Sequence, residues 1–134
     1  MPVYQKALDL LLKIYEIIKR YPSDERFCLI SDTKRAANSI THNIAEGFGR
    51  YEVKDKTRFY KISRGSSFEL ISQTIVAYRL GYIKEENMFN EILSSAYDIV
   101  KELTALIKSL ENRKGSGLGI YALTYDLAFS FSIN

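Results

Sequence analysis

Ser39, Asn43 and Glu46 follow one another at steps of four and three residues, and Ser66, Glu69 and Gln73 at steps of three and four, so on helices each trio shares one face. Should those faces meet, two carboxylates would lie among hydroxyls and amides, a set able to hold a cation or to raise one carboxyl pKa for acid-base work. The stronger reading is architectural. A mutually hydrogen-bonded layer of Ser39, Asn43, Glu46, Ser66 and Glu69 would fix helix register, and leaving any member unpaired would be costly. Gly47, Gly65 and Ser67 beside it suggest close backbone approach rather than an open pocket. His42 is the single histidine, so two Glu-x-x-His motifs of a carboxylate-bridged di-iron bundle are out of reach. Ser39 and His42 lack an orienting acid and a Gly-x-Ser-x-Gly elbow. Cys28 is the single cysteine, which excludes an internal disulfide and a cysteine metal cluster within one chain and fits a reducing cytoplasm. The expectation is therefore no catalytic, cofactor or metal site.

These residues are carried by four periodic segments, interrupted by no proline after Pro22. The first places Tyr4, Ala7, Leu8, Leu11, Ile14, Tyr15 and Ile18 at helical steps and stops before Pro22, with Ser23 or Asp24 as cap of the next. The second carries Phe27, Ile30, Thr33, Ala37, Ile40, Ile44 and Phe48 and ends at Gly47 and Gly49. The third begins between residues 54 and 57 and runs through Phe59, Ile62, Ser66, Glu69, Gln73, Val76 and Leu80 to Gly81, which suits a left-handed C-terminal conformation. The fourth takes Phe89, Ile92, Ala96, Ile99, Leu103, Ile107 and Leu110. Short connections between long helices make antiparallel neighbours the natural solution, so the expected fold is an all-α, up-down-up-down four-helix bundle over residues 1–112. Residues 113–134 read as a Gly/Ser linker and an apolar tail with Leu123, Leu127, Phe129 and Phe131, too short and too interrupted by Asp126 to span a bilayer.

The whole chain of 134 residues, 46% apolar and 26% charged, has room for one globular core. Lys6, Asp9 and Lys13 interrupt the only N-terminal apolar stretch, so neither a signal peptide nor a membrane span is expected, and the reading is cytoplasmic. The net charge of +3 is ordinary, but its distribution is not: between residues 33 and 64 eight basic residues face three acidic ones, a local +5. Lys34, Arg35, Arg50, Lys54, Lys61 and Arg64 form the candidate nucleic-acid surface, with Lys56 and Arg58 adding to the charge and Tyr51 and Tyr60 interleaved as stacking platforms. On the third helix Phe68, Ile71, Ile75, Tyr78 and Tyr82 form a second apolar stripe beside the core-facing one, which predicts self-association.

Lys34-Arg35-Ala36-Ala37-Asn38-Ser39-Ile40, followed by Asn43-Ile44-Ala45-Glu46-Gly47-Phe48-Gly49-Arg50, resembles the four-helix-bundle family often labelled S23 ribosomal protein, encoded in intervening sequences of bacterial large-subunit rRNA genes. Phe59, Gly65-Ser66 with Glu69, and Leu80-Gly81-Tyr82-Ile83 extend the match to about residue 112. The resemblance implies a bundle that assembles into a homo-pentamer, a relationship to the basic pentameric accessory protein of diversity-generating retroelements, and no enzyme activity. It does not extend to the tail. The functional expectation is a homo-oligomeric, non-catalytic scaffold for RNA, DNA or a nucleic-acid-processing protein, the alternative being a protein interaction module without a nucleic-acid role.

Overall fold

Pro2, with its φ preset and no N–H to leave unpaired, opens helix α1 (Pro2–Ile17), whose buried face is Val3, Ala7, Leu10, Ile14 and Ile17. The computed structural model describes residues 1–113, and the linker and tail expected over residues 113–134 lie, beyond Arg113, outside the described residues. After α1 the chain tightens into a 3-10 turn, Ile18–Arg20, and straightens at Tyr21 ahead of Pro22. A second 3-10 turn, Ser23–Glu25, leads to α2 (Leu29–Gly49). Three residues then separate α2 from α3 (Val53–Arg79), and a six-residue connection leads to α4 (Glu86–Asn112). At the end of α3, Gly81 takes φ +82°, while its N–H donates to Tyr78 and that of Tyr82 to Ala77, the paired bonds of a Schellman closure.

Cross-helix contacts give the chain directions. Ser39 meets Ser66 while Gln73 reaches back to Asp32, and Lys6 pairs with Glu102 while Arg20 pairs with Glu85, so numbers rise on one helix as they fall on its neighbour. Each helix packs on two others in the order α1, α2, α3, α4 and back to α1, an antiparallel up-down-up-down four-helix bundle. Ile40, Ile44, Leu70, Ile92, Ile99 and Leu103 fill its axis.

Two expectations change. Phe27 was expected on the buried face of the second helix but is 85% exposed, because α2 starts only at Leu29. Glu25 accepts a hydrogen bond from the Tyr82 hydroxyl, and Tyr82 packs on buried Tyr21 with ring centroids 5.5 Å apart, so the preceding turn is tied to the connection between α3 and α4. The larger change is on α3. Its buried face is Val53, Lys56, Thr57, Tyr60, Ser63, Ser66, Ser67, Leu70, Ile71, Thr74 and Ala77, rotated from the expected stripe, so Ile62, Glu69, Val76 and Leu80 face outward. Ile71 belongs to the core, and Tyr78 is half-buried, stacked on Phe89 at 4.0 Å; Phe68 and Ile75 remain exposed. Small hydroxyl residues on α3 opposite Ala36 and Ala37 of α2 permit close helix approach, and their side chains bond back to the helix backbone, as Ser67 does to Ser63 (3.0 Å) and Thr74 to Leu70 (2.7 Å).

Candidate nucleic-acid interface

The corner between α2 and α3 is built on three residues. Gly47 lies so close to Tyr60 that a Cβ on it would stand 2.6 Å from Tyr60 Cε1, and Tyr60 is fully buried. Lys56, also fully buried, points its ammonium at the C-terminal end of α2 and donates to the carbonyls of Gly47 (3.2 Å) and Phe48 (2.9 Å). A cation there satisfies carbonyls that the helix leaves open and opposes the negative end of its dipole. Burial lowers the Lys56 pKa from its ordinary value. Lys56 and Tyr60 are therefore corrections to the sequence reading: neither is available as a surface cation or a stacking platform, and both lock the corner instead.

Outside the lock, Phe59 is half-buried and carries two guanidinium groups, Arg58 at 4.3 Å and Arg50 at 4.9 Å from its ring centroid. Arg50 also pairs with Glu46 (3.3 Å) and Arg58 loosely with Asp55 (3.9 Å). Lys54 is exposed on the next turn, and Lys61 pairs with Glu111 at the end of α4 (3.1 Å). Arg64 donates to the Thr104 hydroxyl (3.2 Å). Beside this group lies a cleft of about 680 Å³ lined by Val53, Lys54, Thr57, Arg58, Lys61 and Ile62, with Asp55 and Glu111 on its rim. Tyr51, on the connection itself, is 58% exposed.

The structure thus brings Arg50, Lys54, Arg58 and Lys61 to one end of the bundle; Arg64 lies farther along α3, beside Thr104 of α4, and Lys34 and Arg35 stand apart. Fifteen residues of helix separate Arg35 from Arg50, roughly 20 Å. Lys34 lies over the Tyr15 ring (5.3 Å) and Arg35 pairs with Asp32 (3.0 Å). Sequence reasoning counted Arg58 in the charge but did not select it, and it missed the part of Phe59; the adjacency Arg58-Phe59 one turn inside a helix that follows Arg50 is the signal that was there to be used.

Of the expected polar layer, Ser39 and Ser66 meet at 2.7 Å between hydroxyl oxygens, and Asn43 donates to the Ser39 carbonyl (2.8 Å) and hydroxyl (3.0 Å). Ser63, not anticipated, donates to the Ile40 carbonyl (2.8 Å). Glu46 and Glu69 are exposed and stand outside the layer. Each is turned outward because the helix faces that meet are the small-residue faces, where a carboxylate would lack a donor. With Ser39 engaged by Ser66 and Asn43, exposed His42 instead lines a shallow depression with Ala45, Glu46, Gly49 and Arg50. Among the described residues no group of three His, Cys, Asp or Glu is placed to hold a metal, and no helix is long and apolar enough to cross a membrane.

No curated protein matches the chain. Among solved structures it is similar to a protein of unknown function from the S23 ribosomal protein family of Bacteroides thetaiotaomicron VPI-5482, at 22% identity and a TM-score of 0.72, over 79% of this chain and 95% of that one. That likeness supports the bundle fold. The profile of the 23S rRNA-intervening sequence proteins matches residues 1–109, nearly all of the four helices, and the chain belongs to the 23S rRNA-intervening sequence protein family.

Proposed function

We propose that this protein is a non-catalytic, homo-oligomeric helical scaffold that binds nucleic acid through the basic corner of α2 and α3. The observation that carries the reading is the cluster of Arg50, Lys54, Arg58 and Lys61 at one end of the bundle, two of its guanidinium groups held on the Phe59 ring. Such cations bind phosphate by charge and release condensed counterions, without requiring a base-reading motif. Self-association repeats the corner and adds the fields of several copies. It is supported by the outward face of α3, where Phe68, Ile75, Val76 and Leu80 are 51%, 39%, 43% and 55% exposed. The pentamer implied by the family resemblance is the assembly we favour, acting in the cytoplasm, where exposed Cys28 stays reduced.

The test is fluorescence anisotropy with short RNA and DNA at low and physiological salt, beside light scattering coupled to size exclusion. Sequence-tolerant binding that weakens steeply with salt is expected, from an oligomer. In the variant with Arg50, Lys54 and Lys61 all replaced by glutamine, affinity falls for every sequence alike and the salt slope flattens by about one unit per lost contact. No binding at low salt refutes the reading. The exposed apolar face of α3 also favours a second reading, a protein interaction module; a partner pulled from lysate whose recovery is unaffected by nuclease would select it.

A further inference from the structure

We infer that the cleft on the N-terminal half of α3 is a seat for an unpaired nucleobase, so that the protein takes single-stranded nucleic acid in preference to duplex; this rests on the nucleic-acid reading above. The floor and the rim of the cleft differ in chemistry. Val53, Thr57 and Ile62 give the lining apolar surface for a floor, and Lys54, Arg58 and Lys61 bring long apolar stems that end in charge, the chemistry of a rim. About 680 Å³ is room for one nucleotide. A purely apolar ligand would leave the cations unused, and a bare anion would leave the floor unused. An unpaired nucleotide uses both, laying a flat apolar face on Ile62 and offering phosphates to the rim. In a duplex the base faces are stacked on their neighbours, so only the rim could engage.

Two details of the site favour such a ligand. Arg58, which lines the cleft, is held on the Phe59 ring at 4.3 Å with part of its side-chain freedom already lost, and Arg50 shares that ring at 4.9 Å. The rim carboxylates are matched within the fold, Asp55 by Arg58 and Glu111 by Lys61, which leaves Lys54 as a cation for which the described residues show no ion pair. Ile62, 43% exposed on the outer face of a long helix, has no core role that would account for an isoleucine there.

Fluorescence anisotropy with a labelled single strand and with the blunt duplex of the same sequence tests this on the full chain, using the wild type, Ile62→Ser and Arg58→Gln. The single strand is expected to bind about tenfold more tightly than the duplex, within the range a stacked base supplies. Ile62→Ser changes no charge and lies on the surface, so it should keep the wild-type melting temperature. It should weaken the single strand about three- to tenfold and leave the duplex unchanged, whereas Arg58→Gln should weaken both. Equal affinity for strand and duplex, or a single strand indifferent to Ile62→Ser, overturns the seat while leaving the charged surface intact as a reading. Failure of both nucleic acids to bind overturns the seat and the proposed function together.

Discussion

Gly47→Ala adds one methyl group where the structure has none to spare. The new carbon would stand 2.6, 2.8 and 3.0 Å from Tyr60 Cε1, Cδ1 and Cζ, well inside contact distance. Tyr60 cannot give way easily, because its ring is fully buried and the Lys56 ammonium fixes the adjoining backbone through Gly47 and Phe48. Overpacking of this kind costs about 1–3 kcal/mol, and a rigid aromatic neighbour puts it at the upper end. Against that, alanine is favoured over glycine within a helix by about 1 kcal/mol. The net loss is about 2 kcal/mol, a fall in Tm of roughly 6–8 °C for a chain of this size. Thermal unfolding followed by circular dichroism measures it, with Gly65→Ala as the control: nothing lies within 4 Å of a Cβ at that position, so the same exchange should stabilise. In a double-mutant cycle Gly47→Ala and Tyr60→Leu should be less than additive, since the smaller side chain makes room for the methyl group. A Gly47→Ala protein as stable as Gly65→Ala would refute the close approach as the reason for glycine.

The remaining expectations concern neighbouring groups. Glu46→Ala, at an exposed i,i+4 pair with Arg50, should change stability by less than about 0.5 kcal/mol in urea unfolding, and a loss above 1 kcal/mol would put the carboxylate back into the polar layer. Tyr60→Phe removes a buried hydroxyl for which the described residues show no hydrogen-bond partner, so it should be neutral or stabilising by up to about 1 kcal/mol, and a marked drop in Tm would reveal a partner. Burial raises the Tyr21 pKa to about 12 and raises that of Tyr60 as well, above the ordinary value of 10.0, so the stability they contribute is complete below pH 10 and is lost as pH climbs through 12. Tyr21→Phe should flatten that alkaline loss in denaturant midpoints measured against pH, and an unchanged profile would place the titration elsewhere. Glu111→Gln frees Lys61 and removes a rim carboxylate, so low-salt affinity for single-stranded nucleic acid should rise severalfold, and unchanged affinity would exclude Lys61 from the contact.

What could be read from the sequence follows from how each helix makes its core. On α1 and α4 the buried positions are aliphatic, as Leu10, Ile14, Ile99 and Leu103 are, so hydropathy marks the inward face directly. On α3 the inward face holds Ser63, Ser66, Ser67, Thr74 and a lysine, while Ile62, Val76 and Leu80 point out, and a hydropathy period placed there finds the wrong side. The small hydroxyl residues are buried because they permit close approach and bond to the backbone of their own or the facing helix, neither of which registers as hydrophobicity. The same blindness separates Lys56 from Lys54. Both are lysines in a basic run, and only the position of the α2 carbonyl ends decides that one is inside and the other outside. The meeting of Ser39 with Ser66 was legible from spacing alone, since two helices joined by a short turn bring those positions level.

The ion pairs of the corner bear on how it would bind. Arg50, Arg58 and Lys61 each face a carboxylate of their own chain, which at first sight leaves little charge for a ligand. Yet each pair is exposed on both sides, and pairs of that kind are worth no more than about 1 kcal/mol. A guanidinium offered a phosphate gains a charge-assisted hydrogen bond and the entropy of released counterions, both larger at low salt than the pair it leaves. In such binding the pairs would act as a threshold. They would hold the long side chains in place while no ligand is present, and they would discriminate against weak anions that cannot displace a neighbouring carboxylate. A polyanion engages several such cations at once, and repetition of the corner on a second copy of the chain raises the local concentration of each further contact. Affinity built in this way would depend on the proposed self-association as much as on any single residue, so a variant that broke the apolar face of α3 without touching a cation should still weaken binding.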